Sequence, residues 1–233
     1  MSPIATLGMA CAAFVGSHFA LSHPLRAPLS GSMGEGVFRG LYALVAFGTF
    51  GWIIWAWLAV PATAPAYVAG DHAWIAASIV MWLASVLLAG SFFGNPAMPS
   101  PGATAMAMRN PLGVFAITRH PMMWSFAIWA LVHILLWPTP ENHVLTTAII
   151  ILALGGAAGQ DRKKAGVMGD AWRGWCRRTS FFPFAGQFGG RISWGAAWPG
   201  SGALLLGTLL WLAMTWAHTP LGSRLAAGIW RWW

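Results

Sequence analysis

The stretch ITRHPMMWSFAIWALVHILLW, Ile117–Trp137, decides the fold class. It is almost entirely apolar and has the ~20 residues that a helix needs to cross the ~30 Å hydrocarbon core of a bilayer. It also carries Arg119, His120 and His133. Because ionisable side chains are costly in lipid, they are functional candidates by default. The stretch therefore predicts a membrane-spanning helix that contributes to a site.

The whole chain has the same membrane character. Of its 233 residues, 58% are hydrophobic and only 8% are charged, which is too little polar surface for a water-soluble domain. Six apolar windows predict an all-α, six-helix bundle that forms a single transmembrane domain over residues 1–233. The windows cover approximately Pro3–Leu21, Phe38–Val60, His72–Phe93, Thr118–Trp137, His143–Gln160 and Ser201–His218. The first window lacks the basic start and cleavage site of a signal peptide, so we expect it to be retained.

The basic residues fall in alternate connections between these windows. The loops at 61–71 and 138–142 contain no Lys or Arg, whereas the other internal connections do. By the positive-inside rule, this asymmetry predicts both termini on the non-cytoplasmic face of a bacterial inner membrane. The net charge of +8 then follows from topology. We expect membrane lipid, and no nucleic acid, as a partner.

Two long connections and the tail are expected at the membrane surface. Gly94–Pro111 is proline-rich, and we expect it to lack regular structure. In DRKKAGVMGDAWRGWCRRTSFFPF, residues 161–184, Trp172 and Trp175 fall on one helical face and Arg173 on another, which is typical of an interfacial helix. The tail RLAAGIWRWW, residues 224–233, mixes Trp and Arg as an interfacial anchor does.

Four of the seven histidines occur as two pairs, one pair in each of two windows. His120 and His133 are 13 residues apart, which places them ~220° around and ~20 Å along a helix. His18 and His23 lie ~140° apart around theirs, and neither pair has the i, i+4 spacing of a helical zinc site. One histidine from each helix would suit the two axial positions of a haem iron. The alternative is that the histidines bond neighbouring helices as structural polar groups.

His18 and His133 are the most deeply placed of the four. Around His133, the small Ala130 would allow a flat ring to approach, and Trp129 could form one wall of its slot. These residues define a candidate slot for a cofactor in the bundle.

The sequence TRHP indicates a helix start, with Thr118 as the N-cap and Pro121 in the first turn. Helix N-termini attract anions, so Arg119 and His120 are candidates to hold a haem propionate or a polar group of a substrate. The alternative is that both side chains extend toward the membrane interface without a ligand.

Other chemistries have little support. Asp161 and Asp170 lie among basic residues and are expected to form salt bridges. No carboxylate pair, Ser-His-Asp set or phosphate-binding glycine loop is evident, which argues against a hydrolase or an NTPase. The cysteines, Cys11 and Cys176, form no CxxC motif, so a c-type haem and a thiolate cluster are not expected.

Four segments together resemble the NnrU family, which includes the 15-cis-zeta-carotene isomerases. The segments are GSHFALSHPLR, GEGVFRGLYALVA, ITRHPMMWSFAIWALVH and DRKKAGVMGDAWRGWCRRTSFFPFAG. The resemblance implies a haem b with His18 and His133 as iron ligands, and redox-dependent cis-trans isomerisation of a carotenoid-like polyene. Ala130 stands where the plant isomerases have a cysteine, so a thiolate ligand is missing here. Since His18 and His133 differ in predicted depth by about 10 Å, His120 or His23 remains an alternative ligand.

Two further functions stay open. The family name also implies an accessory protein of denitrification, which would transfer electrons through haem to an unknown redox partner or respond to nitric oxide. A more distant likeness to the isoprenylcysteine carboxyl methyltransferases implies S-adenosylmethionine as cofactor. It rests on RHP and on Gly169, Trp172, Trp175, Arg178 and Pro183. The chain departs from that family after RHP, where Met122–Ser125 replaces its tyrosine and glycine.

Overall fold

The computed structural model describes residues 1–221 and 226–233, and these residues form helices and no strand. The α-helices are α1 (Pro3–Ser22), α2 (Arg26–Met33), α3 (Glu35–Leu58), α4 (Asp71–Gly90), α5 (Ala103–Met108), α6 (Val114–Ile117), α7 (Pro121–Leu136), α8 (Pro140–Met168), α9 (Asp170–Arg178), α10 (Ala185–Phe188) and α11 (Ser201–Leu221). Two 3₁₀ helices, Trp194–Ala197 and Gly228–Trp232, complete the secondary structure.

Five of the described helices, α1, α3, α4, α8 and α11, are long and apolar enough to cross a membrane. The all-α membrane prediction is thereby confirmed, but the count of six spans is not. The fourth predicted window forms α7, which has 16 residues and is ~24 Å long. It is shorter than predicted because the helix begins only at Pro121. The positions of the termini and the single transmembrane domain stay predictions.

The chain divides into two compact units, with boundaries in the loop before α4, within α7 and within α8. The first unit comprises residues 1–68 and 133–159. Its core is formed where small and aliphatic side chains of α1 pack against α3 and α8. The buried members on α1 and α3 are Leu7, Ala10, Cys11, Ile53 and Ala56, with Val144, Leu145 and Ala148 of α8 packed against them.

The second unit comprises residues 69–132 and 160–233. In it α4 and α11 pack so closely that a side chain at Gly207 would lie 2.6 Å from the Cα atom of Val86. The indole of Trp82 donates to Thr208 Oγ1 across the same contact (2.9 Å). A second apolar core lies beneath α9, built around Trp172 and Trp175, which are 1% and 3% exposed.

Several surface segments differ from expectation. Gly94–Pro111 is not wholly irregular, since its Ala- and Met-rich part forms α5, as the high helix propensities of these residues allow. In α9, Arg173 is exposed and Trp172 and Trp175 are buried, as predicted. However, the Trp face packs against other protein side chains, so it is not free to enter the headgroup layer. In the tail, Trp230 donates to Leu212 O (3.1 Å), while Arg224 and Leu225 lie outside the described residues.

Candidate functional site

The chain immediately before α7 is held by the segment that follows α9. Three hydrogen bonds join them: Arg119 N to Ser180 O (2.8 Å), Thr118 Oγ1 to Phe181 O (2.6 Å) and Phe184 N to Ile117 O (2.9 Å). Thr118 is not the N-cap of α7, because the helix begins at Pro121 and His120 directly precedes it, so that prediction was wrong. The backbone of Thr118 is extended, and its hydroxyl donates to Phe181 O and accepts from the N–H of His120 (3.3 Å). The prediction of Pro121 in the first turn is confirmed, because α7 begins there.

At this helix start, Arg119 and His120 both contact the carboxylate of Asp161 in α8. Arg119 Nε lies 3.1 and 2.9 Å from the two carboxylate oxygens, and Arg119 Nη2 donates to Oδ2 at 2.7 Å. His120 Nε2 lies 2.9 Å from Oδ1. The expectation that Asp161 forms a salt bridge is confirmed. We call these three residues the Arg119–His120–Asp161 cluster.

The cluster is largely buried, and its hydrogen bonds indicate which ring nitrogen of His120 donates. Side-chain exposure is 14% for Arg119, 18% for Asp161 and 1% for His120. Because an ionised carboxylate only accepts hydrogen bonds, His120 Nε2 carries the proton that it donates. In a neutral ring, Nδ1 then carries a lone pair, and this buried atom has no hydrogen-bond partner in the described part of the chain. It can therefore accept a hydrogen bond or bind a metal.

The aromatic ring of Phe181 covers the cluster. The guanidinium carbon of Arg119 lies 5.3 Å from the centre of that ring, within the range of a cation–π interaction. The centre of the His120 imidazole lies 5.4 Å from the same centre, with the two rings inclined at 64°. Phe181 thus reduces contact of both side chains with water and strengthens their interaction with Asp161.

The sequence placed Arg119 and His120 together correctly but did not identify their partners. A carboxylate of the chain already offsets the charge of Arg119, so a propionate or substrate anion would have to share it. That role of the two residues stays a prediction. One signal could have identified Asp161, because it is one of only two carboxylates between residues 142 and 233. No sequence signal pointed to Phe181.

The charges of Arg119 and Asp161 affect the pKa of Cys176 in α9. Burial raises the pKa of its thiol above the ordinary value. The positive charge of Arg119 acts in the opposite direction, and the negative charge of Asp161 raises the pKa further. A thiol in this state is a weak nucleophile at neutral pH, because only the thiolate reacts readily.

His18 is half-buried in the first unit, on α1. Its Nδ1 lies 2.8 Å from the carbonyl oxygen of Phe14. Since a carbonyl only accepts, Nδ1 carries the proton and Nε2 has the lone pair that a metal requires. The ring packs against Phe14 and Tyr42, with centroid distances of 4.3 and 5.5 Å. His143 and His218 make the same Nδ1 contact with a preceding turn, so the contact permits metal binding without singling out His18.

The other residues of the predicted slot fall in both units. His133 is half-buried in the first unit, and its carbonyl accepts from Asn142 Nδ2 (2.8 Å). Trp129 is half-buried and Ala130 fully buried in the second unit. His23, the alternative ligand, is exposed on the first unit, and its ring lies against the Cα atom of Gly159.

The donor set of the chain suits haem better than a metal held by protein ligands alone. Among the described residues, no group of three or more His, Cys, Asp or Glu side chains could hold a metal ion. A haem iron needs only one or two axial ligands from the protein. His18, with Nε2 unprotonated and an aromatic surround, has the chemistry of such a ligand.

Five long apolar helices and a buried ion cluster at a helix start define the chain as an integral membrane protein. It belongs to the NnrU family, because the family model described as NnrU protein matches residues 6–224.

One curated relative is the chloroplastic 15-cis-zeta-carotene isomerase of Arabidopsis thaliana. It is 35% identical to the chain over 79 residues, which are 34% of this chain and 22% of that protein. The chain therefore matches about a fifth of the length of that isomerase. No solved structure matches the chain.

Proposed function

We propose that this protein is a haem-b-dependent membrane isomerase that converts a cis double bond of a carotenoid-like polyene to trans. The observation that carries the proposal is the 35% identity to 15-cis-zeta-carotene isomerase. A haem would supply an iron whose oxidation state can change and whose axial ligands set its redox potential.

Two histidines of the chain are assigned to that haem. His18 offers an unprotonated Nε2 because Phe14 holds its other nitrogen, and His133 is the second ligand. His120 is the alternative to His133, because its buried Nδ1 has no partner among the described residues. His23 is the alternative to His18.

The remaining candidate residues contact the haem ring, its propionates or the substrate. Ala130 presents no side chain beyond Cβ, and Trp129 is its neighbour. Because Ala130 is fully buried, a flat ring approaches α7 there only after the side chains that cover it move. Arg119 and His120 take a propionate or a polar substrate group in addition to Asp161. A polyene is as apolar as the bilayer interior, so it enters laterally from the membrane and needs no polar channel.

The location proposed is a bacterial inner membrane with both termini on the non-cytoplasmic face. The alternation of basic and non-basic loops supports this orientation. A redox partner is required to set the oxidation state of the iron.

The test uses detergent-purified full-length protein. We expect a b-type absorption spectrum in the oxidised and dithionite-reduced forms, and about one haem per chain by pyridine haemochrome assay. The reduced protein is then incubated with 15-cis-zeta-carotene, and the isomers are separated by chromatography.

Each outcome is informative. Haem together with loss of the cis isomer supports the proposal. Haem without isomerisation contradicts the isomerase and favours the electron-transfer or nitric oxide-responsive alternative for denitrification. Absence of haem after expression with ample haem contradicts both and favours the S-adenosylmethionine-dependent methyltransferase.

A further inference from the structure

A groove with no part in the proposed reaction lies in the second unit, between α4, α11 and the 3₁₀ helix Gly228–Trp232. Its volume is about 340 Å³, within the ~300–1,000 Å³ range of small-molecule sites. Its apolar lining comes from Ile75, Ile79, Trp82, Trp211, Ile229 and Trp232. From Ile75 to Trp82 the groove follows α4 for about 10 Å.

One polar atom in this lining has no partner. The indole nitrogen of Trp211 is buried and makes no hydrogen bond to any described residue. The other indole from a long helix, that of Trp82, donates to Thr208 Oγ1 (2.9 Å). A buried N–H without an acceptor costs about 1–3 kcal/mol. Because protein covers this nitrogen almost completely, an occupant of the groove does not reach it.

The groove has a charged end beside the first turn of α4. Arg231, next to the lining residue Trp232, lies over the ring of Trp74 (4.4 Å). Its Nη2 is 3.4 Å from Asp71 Oδ1, a long contact with an Asp71 side chain that is 65% exposed. Arg231 Nε is buried and has no acceptor among the described residues. One partly exposed cation and one exposed anion therefore stand together beside the groove.

We propose that this groove binds an ethanolamine phospholipid. An acyl chain occupies the apolar part, a phosphate oxygen accepts from Arg231, and the primary ammonium group contacts Asp71. The headgroup is complementary in charge to the protein. Its phosphate is negative and faces Arg231, and its amine is positive and faces Asp71.

Other occupants match less of the site. A pure hydrocarbon such as a polyene has no charged group to pair with Arg231 or Asp71. A choline headgroup has no N–H to donate to Asp71. A glycerol headgroup brings a net negative charge that Asp71 repels.

The test is lipid retention by the full-length protein, measured by native mass spectrometry. Detergent micelles contain equimolar lipids with identical oleoyl chains and ethanolamine, choline or glycerol headgroups. We expect the ethanolamine lipid to be retained about three-fold over the choline lipid, as for an exposed ion pair.

Four variants test separately how Asp71, Arg231 and Trp211 contribute to lipid retention. Asp71→Asn should abolish the preference for ethanolamine over glycerol lipid. Arg231→Gln should lower retention of all three lipids about five-fold, and Arg231→Lys should restore most of it. Trp211→Phe should leave retention of all three lipids unchanged, because protein covers the indole nitrogen.

Arg109→Gln and Asp170→Asn serve as matched controls, because both change one exposed charge outside the groove. Helical circular dichroism verifies that each variant is folded. Equal retention of ethanolamine and choline lipids by the wild type would overturn the proposal. So would an unchanged preference in Asp71→Asn, or displacement of the lipid by zeta-carotene. None of these residues is assigned to haem, so the haem spectrum tests the proposed function separately.

Discussion

His120 Nε2 and Asp161 Oδ1 lie 2.9 Å apart, although 41 residues separate them in the chain. This contact links the start of α7 to α8 in the second unit. Arg119 adds three further hydrogen-bond contacts to the same carboxylate. A single acidic side chain thus compensates the two adjacent basic residues that the sequence placed at a helix start.

Removing this carboxylate should destabilise the protein. Asp161→Asn leaves Arg119 and His120 largely buried without a charged partner. Breaking a fully buried pair costs about 3–5 kcal/mol, and we expect about 2–3 kcal/mol here because the side chains retain some exposure. The measurement is the free energy of unfolding in detergent.

Asp170→Asn is the matched control for that experiment. Asp170 also pairs with an arginine, Arg173, but its side chain is 92% exposed. Water screens such a pair, so no measurable change in unfolding free energy is expected. Equal effects of the two substitutions would show that burial of the cluster contributes nothing.

A methyl group at Gly207 should separate α4 from α11. The added Cβ would lie 2.6 Å from the Cα atom of Val86 and 2.8 Å from its nitrogen. Since both atoms belong to the backbone, one helix must move. We expect Gly207→Ala to lower the unfolding free energy by about 1–3 kcal/mol.

Gly202 in the same helix provides the comparison, because a Cβ there has no neighbour within 4 Å. Gly202→Ala should leave stability unchanged or raise it by less than about 1 kcal/mol through helix propensity. A loss of stability in Gly202→Ala as large as in Gly207→Ala would contradict the close-packing explanation.

Cys176 should react slowly with maleimide at neutral pH. Burial raises the pKa of the thiol, Asp161 raises it further and Arg119 partly opposes the shift. The rate is measured as a function of pH in a Cys11→Ala variant, where Cys176 is the remaining cysteine. Its reaction rate should rise at a higher pH than the rate of free N-acetylcysteine does.

The same pKa shift determines how the stability of the protein changes with pH. A raised pKa in the folded state leaves stability intact below the ordinary thiol pKa and reduces it as the pH rises past that value. Reaction of Cys176 at lower pH than the free thiol would refute the burial effect.

His18→Ala should remove or alter the haem spectrum of the purified protein if His18 is an axial ligand. His143→Ala is the control, because His143 has the same Nδ1 contact with a preceding carbonyl but is not assigned to haem. The readouts are haem per chain and the reduced absorption bands. Unchanged spectra in both His18→Ala and His133→Ala would refute the assigned ligand pair.

The locations of the long helices could be predicted from hydropathy alone. α1, α3, α4, α8 and α11 overlap their predicted windows, because a helix is the simplest way to pair all backbone groups in lipid. Their ends could be predicted less well. α8 continues past Gly166 to Met168 and ends only at Gly169. The latter has a positive φ of 56°, which suits glycine.

The candidate site was predictable only in part. Arg119 and His120 are conspicuous because charged residues are rare in the chain. Asp161 and Phe181 become their neighbours only when α8 and the segment after α9 fold against the start of α7. Pairing over 41 and 61 residues leaves no local pattern, and so periodicity cannot reveal it.

By itself, the sequence determined that the chain is a helical membrane protein, because its composition allows few alternatives in water. It also determined the NnrU family, through motifs spread over most of its length. Only the tertiary structure decided which basic residues share Asp161 and where an apolar groove meets Arg231. These depend on contacts between distant segments, and their energies come from packing and desolvation that no single segment contains.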